Sequence, residues 1–360
     1  MMSARFAGFV AASLLLSASP AAHAEPMDLA LERLVDNASS CLSADGAGRF
    51  EPTSALNCRP DNLAFKRLVN QLGFALAPAA MHAARTTGFG GFHLALEASY
   101  TSISSDANYW QRGTQGAPDP STNQAATRNQ SPSALLSQYS LKVRKGFGYG
   151  FEVAGVVGFL PKTSLINGGA DVRWALLEGF RKGVLGIFPD TAVGGGVRTI
   201  TGSSQLQLTT VAIDVQISKP FVIEDSSVLT PWLGYQYLWI LGDSGLVDLT
   251  PGTSALGACN YGGQNVPGNP DPNKASYDGQ QICRGGSARD FNNNVIFAPV
   301  RVHRQRLMLG VNYRYEMLLA GAQLITDLLN PADANSGQNQ ADLRAEPRQW
   351  TAVLELGAQF

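Results

Sequence analysis

The sequence predicts an all-β chain closed into an antiparallel up-and-down barrel, and three observations carry that prediction. Beyond Phe89 apolar residues recur at every second position in about ten segments. The connections between segments alternate, long and polar with short and turn-like. The chain closes on RQWTAVLELGAQF, in which Trp350, Ala352, Leu354, Leu356, Ala358 and Phe360 share one face. A last strand left at a sheet edge would offer unpaired backbone groups to other chains, and pairing it with the strand near Phe89 removes that edge.

Composition agrees. At 44% hydrophobic the chain is able to bury a core, while 38 Gly and only 15% charged residues suit strands and turns better than a helical interior. A formal charge of -1 gives no support to a nucleic-acid partner.

Residues 1–24, MMSARFAGFVAASLLLSASPAAHA, have the three parts of a secretory signal: Arg5, an apolar stretch from Phe6 to Leu16, and the small-x-small site Ala22-His23-Ala24. The stretch is shorter than the roughly 20 residues a membrane helix needs, so cleavage after Ala24 is expected. No Cys follows that site, which speaks against a lipoprotein. Export to an oxidising space lets Cys41, Cys58, Cys259 and Cys283 pair. Of the three connectivities the local one, Cys41 with Cys58 and Cys259 with Cys283, is expected.

Residues 25–86 differ in pattern from the rest of the chain. LALERLVDNASSC (Leu29, Leu34) and DNLAFKRLVNQLGFALAPAAMHAAR (Leu63, Leu68, Leu72, Leu76) carry helical apolar spacing, with Asp61 as N-cap of the second. Two short helices are predicted, either an ordered leader that only packs against the rest of the chain or a cap or plug.

From residue 87 onward the period is two. GFHLALEASYTS opposes Phe92, Leu94 and Leu96 to His93, Ala95 and Glu97. QYSLKVRKGF and YGFEVAGVVGF repeat the pattern around the tight turn KGFGYG. GADVRWALLEG, PDTAVGGGVRTIT, TVAIDVQIS, TPWLGYQYLWIL and RLMLGVNYRYE continue it. MLLAGAQLITDLL is the least patterned, since its apolar run also suits a helix. The connections 105–134, 161–168, 202–205, 243–301 and 330–346 lie at one end, and the turns KGFG, EGFRKGVLG, SKPFVIEDSS and YE at the other.

In these features the chain resembles the Gram-negative outer-membrane β-barrel proteins, over Phe89 to Phe360. The most specific mark is the terminal strand ending on Phe360, with Trp350 at its start, which resembles the signal presented to the barrel assembly machinery. The resemblance implies a transmembrane antiparallel up-and-down β-barrel of about ten strands, within a range of 8 to 12. It also implies outer-membrane lipid and lipopolysaccharide as surroundings, and a periplasmic or luminal place for residues 25–86.

Within such a barrel one strand face meets lipid and the other the lumen. The second face carries Glu97, Lys142, Arg144, Glu152, Asp171, Arg173, Arg198, Asp214, Arg306, Arg314 and Glu355. These lumen candidates, of both signs, suit either an ion-pair network bracing the interior or a narrow polar pore, because ten strands lie near the size that side chains fill. Gly194-Gly195-Gly196 marks a bend or room for the N-terminal helices. Phe147, Tyr149, Phe180, Phe188, Trp232, Trp239, Tyr313 and Trp350 are expected in interfacial girdles.

No catalytic motif, metal-ligand spacing or cofactor fingerprint occurs, so an enzyme is not expected. His303, with Arg301, Arg304 and Arg306 nearby, suits phosphate contact at the outer rim better than a catalytic dyad. The function expected from sequence is a narrow conduit for small solutes. A closed structural or surface-interaction barrel presenting the 105–134 and 243–301 loops is the alternative, and an outer-membrane lipid hydrolase the third reading.

Overall fold

The computed structural model describes residues 25–36, 42–44, 50–52, 59–79, 82–118, 126, 128–179, 188–223, 226–249, 259–261, 281–283, 294–328, 343 and 346–360. Ten strands form the barrel: β1 (Phe92–Ser102), β2 (Leu135–Gly146), β3 (Phe151–Phe159), β4 (Ile166–Leu177), β5 (Asp190–Thr201), β6 (Leu206–Ser218), β7 (Ser227–Ser244), β8 (Val300–Tyr315), β9 (Leu318–Asp327) and β10 (Trp350–Gln359). Each pairs antiparallel with its sequence neighbour, and β10 pairs back onto β1 with Leu354 opposite Ala98. Phe360 extends the seam by one residue, its N–H donating to Phe92 O at 2.8 Å and its own O accepting from Phe92 N at 3.0 Å. The sheet therefore has no edge where chain start and chain end meet. MLLAGAQLITDLL is strand, because pairing with β8 and β10 on both sides outweighs its ambiguous local pattern.

The shortest strand, β3, has 9 residues and the longest, β7, has 18, so each is long enough to cross a bilayer core at about 9 to 11 residues. Alternation settles which way each side chain points. Leu96, Leu356, Phe159, Leu309, Ile213 and Val157 stand exposed on the outer wall, whereas Lys142, Arg144, Glu152, Arg306 and Glu355 are buried inside. A water-soluble fold would invert that order. An apolar outer belt, a polar interior, short turns at one end and long loops at the other are the architecture of outer-membrane β-barrels.

The same alternation corrects two sequence-based expectations. Leu233 and Tyr235 point outward, so Trp232 must point inward, where it is 3% exposed and covers Gly310 instead of joining a girdle. Arg304 and Arg306 are buried inside, whereas His303 lies on the outer wall against the rings of Tyr237 and Trp239. Arg301 is half exposed and pairs with Asp243 at 2.8 Å. The four residues do not form one basic rim cluster, because a period of two sends them to opposite faces. Phe147, Tyr149, Phe188, Tyr313 and Trp350 are exposed, and Trp239 is half-buried on the outer wall. Phe180 lies outside the described residues.

Helix α1 (Asn62–Leu76) follows its sequence signals. The Asp61 carboxylate accepts from Ala64 N at 2.9 Å, and the helix stops two residues before Pro78, which cannot continue it. Leu68, Leu72 and Leu76 are buried, whereas Leu63 in the first turn is exposed. The predicted helix in LALERLVDNASSC does not form over its described residues, 29–36. A 3-10 turn (Leu31–Arg33) is followed by a two-residue ladder of Val35–Asp36 with Arg59–Pro60. Tertiary partners take its backbone groups: Ala30 N donates to Gly113 O at 2.9 Å and Leu31 N to the Gln205 side chain at 3.0 Å. Contacts of that kind override weak helical spacing. Helix α2 (Asn108–Gly113), in the first long connection, completes the described helices.

Cys41 and Cys58 lie outside the described residues. Cys259 and Cys283 are backbone partners in a short ladder within the 245–299 connection, and their side chains lie outside the description.

Candidate functional site

Ten strands enclose space for side chains, but here the first part of the chain competes for it. Residues 25–36 sit at the long-loop end, tied to several loops at once. Met27 N donates to Lys162 O, Gln205 donates to Glu32, and the Arg33 guanidinium donates to Gln115 O at 3.0 Å and Ala126 O at 2.8 Å. From Asp61 the chain turns into α1 and enters the lumen. Ala298 N donates to Asn62 Oδ1 at 2.7 Å, and the rings of Phe65 and Phe297 stack at 4.8 Å. Deeper down, Gly73 approaches the inner wall so closely that a Cβ there would lie 2.4 Å from Ile240 Cγ2. A glycine is what this crossing requires.

The upper half of the lumen is accordingly an apolar core. Phe65, Leu68, Val69 and Leu72 of α1 pack with inward side chains of β6, β7 and β8, among them Leu206, Leu208, Leu238, Ile240, Val300 and Val302, all at most 2% exposed. Of the two buried polar side chains of α1, Asn70 and Gln71, the second is engaged through both amide atoms: its nitrogen donates to Tyr109 OH and Glu346, and Trp110 Nε1 donates to its oxygen at 2.7 Å. Burial first, and then the hydrogen bond to Glu346, push the Tyr109 phenol above its ordinary range. The hydroxyl stays protonated and donates.

The lower half is ionic. Arg304 lies 4.2 Å over the Phe74 ring and pairs with Asp327, while Arg306 donates to Phe74 O at 3.2 Å and to Pro78 O. Below α1 the described residues 77–79 and 82–88 are held largely through their backbone. Gln236 Nε2 donates to Pro78 O at 3.1 Å, Lys142 Nζ to Ala79 O at 3.1 Å, and Arg173 to Ala83 O at 2.9 Å. Thr87 N donates to Glu152 at 2.9 Å. Gly196 makes room for this passage: a Cβ there would lie 3.1 Å from Pro78 and 2.1 Å from Asp171 Oδ1. Gly196 thus admits the chain at Pro78, just after the helix.

The predicted lumen residues fall into linked groups. Glu97 and Lys142 are 3.1 Å apart, Lys142 and Asp171 3.7 Å, and Asp171 is held bidentately by Arg198. Arg144 contacts Glu152 at 3.4 Å and His93 at 3.0 Å, His93 approaches Glu355 at 3.6 Å, and Arg173 approaches Asp214 at 3.9 Å. Arg306 belongs to the α1 anchor. Arg314 stands apart, exposed at the short-turn mouth. Sequence reasoning missed Arg304, Asp327, Gln236 and His82, although the parity of their strands pointed the first three inward. His82 touches Glu152 at 3.4 Å at the lower end of the threaded segment.

Two interior spaces of about 20 Å³ flank the segment below α1, room for about one water each. A larger space of about 240 Å³ opens at the short-turn mouth. Another concavity, of about 700 Å³ among Leu96, Leu141, Phe159 and Leu354, lies on the outer belt and belongs to the lipid-facing surface.

No protein-family model matches the chain, and no curated protein matches it in sequence. Among solved structures it is similar to Ail, the attachment invasion locus protein of Yersinia pestis, at 10% identity over 76% of this chain and 99% of that one, with a TM-score of 0.25. The N-terminal β-barrel domain of OprF from Pseudomonas aeruginosa gives 9% identity over 74% and 97%, with a TM-score of 0.24. Neisserial surface protein A gives 10% identity over 75% and 97%, with a TM-score of 0.23. Similarities of that size carry no argument about function, and the barrel rests on its own strand pairing.

Proposed function

We propose that the protein resides in the outer membrane of a Gram-negative bacterium as a barrel closed by its own N-terminal segment, working through the surface at its long-loop end. The observation that carries this reading is the apolar core between α1 and the inner wall, with Leu68, Leu72 and Ile240 at most 2% exposed. A pore wall in contact with water would be polar there, and burying such area is favourable by about 25 cal/mol per Å². The conduit for small solutes is the second reading. It is favoured by the ionic lower half, where Gln236 and Lys142 bind the carbonyls of Pro78 and Ala79. The hydrolase reading loses support, since His303 sits between aromatic rings on the outer wall.

Planar-bilayer recording of the intact folded chain separates the first two readings. The closed barrel is expected to give no conductance steps. Regular steps from the intact chain would establish the conduit instead.

The partners proposed are outer-membrane lipid, lipopolysaccharide and the barrel assembly machinery. Deleting Phe360 removes both seam hydrogen bonds to Phe92 and the terminal aromatic. It is expected to abolish the heat-modifiable species in the membrane fraction, and a normal amount of that species would refute the assignment of Phe360 as assembly signal.

A further inference from the structure

We propose that the space at the short-turn mouth is a binding site for a compact oxyanion, a phosphate or carboxylate group of a small solute. The space has a volume of about 240 Å³, and Arg85, Arg144 and Arg314 line it against one carboxylate, Glu178. Glu178 is already engaged, accepting from Thr86 Oγ1 at 2.7 Å and from Thr86 N at 3.3 Å. The inner wall is built: Arg144 is 2% exposed and held in place by His93 at 3.0 Å and by Glu152 at 3.4 Å. Those bonds use Nε and one terminal nitrogen. The other terminal nitrogen has no hydrogen bond among the described residues. Arg314, on β8, is exposed at the same space and makes no ion pair among the described residues.

A fixed guanidinium with a spare donor, lining one space with an exposed guanidinium, matches the planar geometry of carboxylate and phosphate oxygens. Bringing an anion there supplies a counter-charge to Arg314 and an acceptor to the spare Arg144 donor. The volume exceeds the roughly 30 Å³ share of one water several-fold, so a small anion enters with part of its hydration. The inference holds whether or not the barrel conducts, because the space opens at the short-turn end, away from the apolar core around α1.

Two sources carry this chemistry, and separate calorimetric titrations of the intact folded chain distinguish them: inorganic phosphate, succinate, and glucose as the neutral control. One saturable site is expected for phosphate, succinate or both, with none for glucose, and its affinity should fall as NaCl is raised. Arg314→Gln, and Arg85→Gln combined with it, are each expected to weaken that site about tenfold or more while the heat-modifiable barrel is retained. Absence of saturable binding by both anions would overturn the proposal. So would an affinity unchanged in the double variant.

Discussion

Asp327→Ala is expected to cost about 3 to 5 kcal/mol of unfolding free energy, read as a lowered urea midpoint of the folded barrel. Asp327 receives Arg304 through both carboxylate oxygens and also Gln349 N at 2.9 Å, and Arg304 in turn lies on Phe74 of α1. Both side chains are about 1% exposed. Removing the carboxylate leaves a buried guanidinium without its counter-charge, and that desolvated charge sets the cost. The exposed pair Arg301–Asp243, at 2.8 Å, is the internal control. Asp243→Ala is expected to change stability by less than about 1 kcal/mol, because water screens that pair. Equal effects of the two substitutions would mean that Arg304 is not buried between α1 and the wall.

Gly73→Val is expected to loosen α1 from β7 while the strands stay paired. A Cβ at this position already meets Ile240 Cγ2 at 2.4 Å, and Ile240 is fully buried. Replacing a helical glycine gains at most about 1 kcal/mol in backbone entropy. Overpacking a dense core costs about 1 to 3 kcal/mol or more, so the clash prevails. Heat-modifiable barrel should persist, trypsin should gain access to Lys66 and Arg67, and bilayer conductance should appear where the parent chain is silent. A variant as protected and as silent as the parent would refute the close packing of α1 on β7.

The strands were legible because lipid on one side and, in the lower half, a charged interior on the other enforce a period of two. Even β9, with its continuous apolar run, obeys it once its neighbours pair. Helix α1 was legible through Asp61 and the spacing of Leu68, Leu72 and Leu76. The place of the helix was not, because the segment that threads the lumen below it is held through the carbonyls of Pro78, Ala79 and Ala83, groups that every residue carries. Gly194 and Gly196 hinted at the passage without naming its occupant. The stretch around Leu31 was misread as helix because its three buried leucines answer to loops distant in sequence. Trp232 and the arginines around His303 were misplaced wherever nearness in sequence was put ahead of strand parity.

The central claim is that the N-terminal segment occupies the lumen, and a disulfide between Gly73→Cys and Ile240→Cys tests it most directly. The built Cβ of residue 73 lies 3.1 Å from Ile240 Cγ1, within bridging range once Ile240 loses its branches. In the folded barrel under mild oxidation, mass spectrometry of the digested protein is expected to find the 73–240 cross-link as the dominant product, with neither thiol open to a water-soluble maleimide. Two freely reactive thiols and no cross-link in an intact barrel would place α1 outside it.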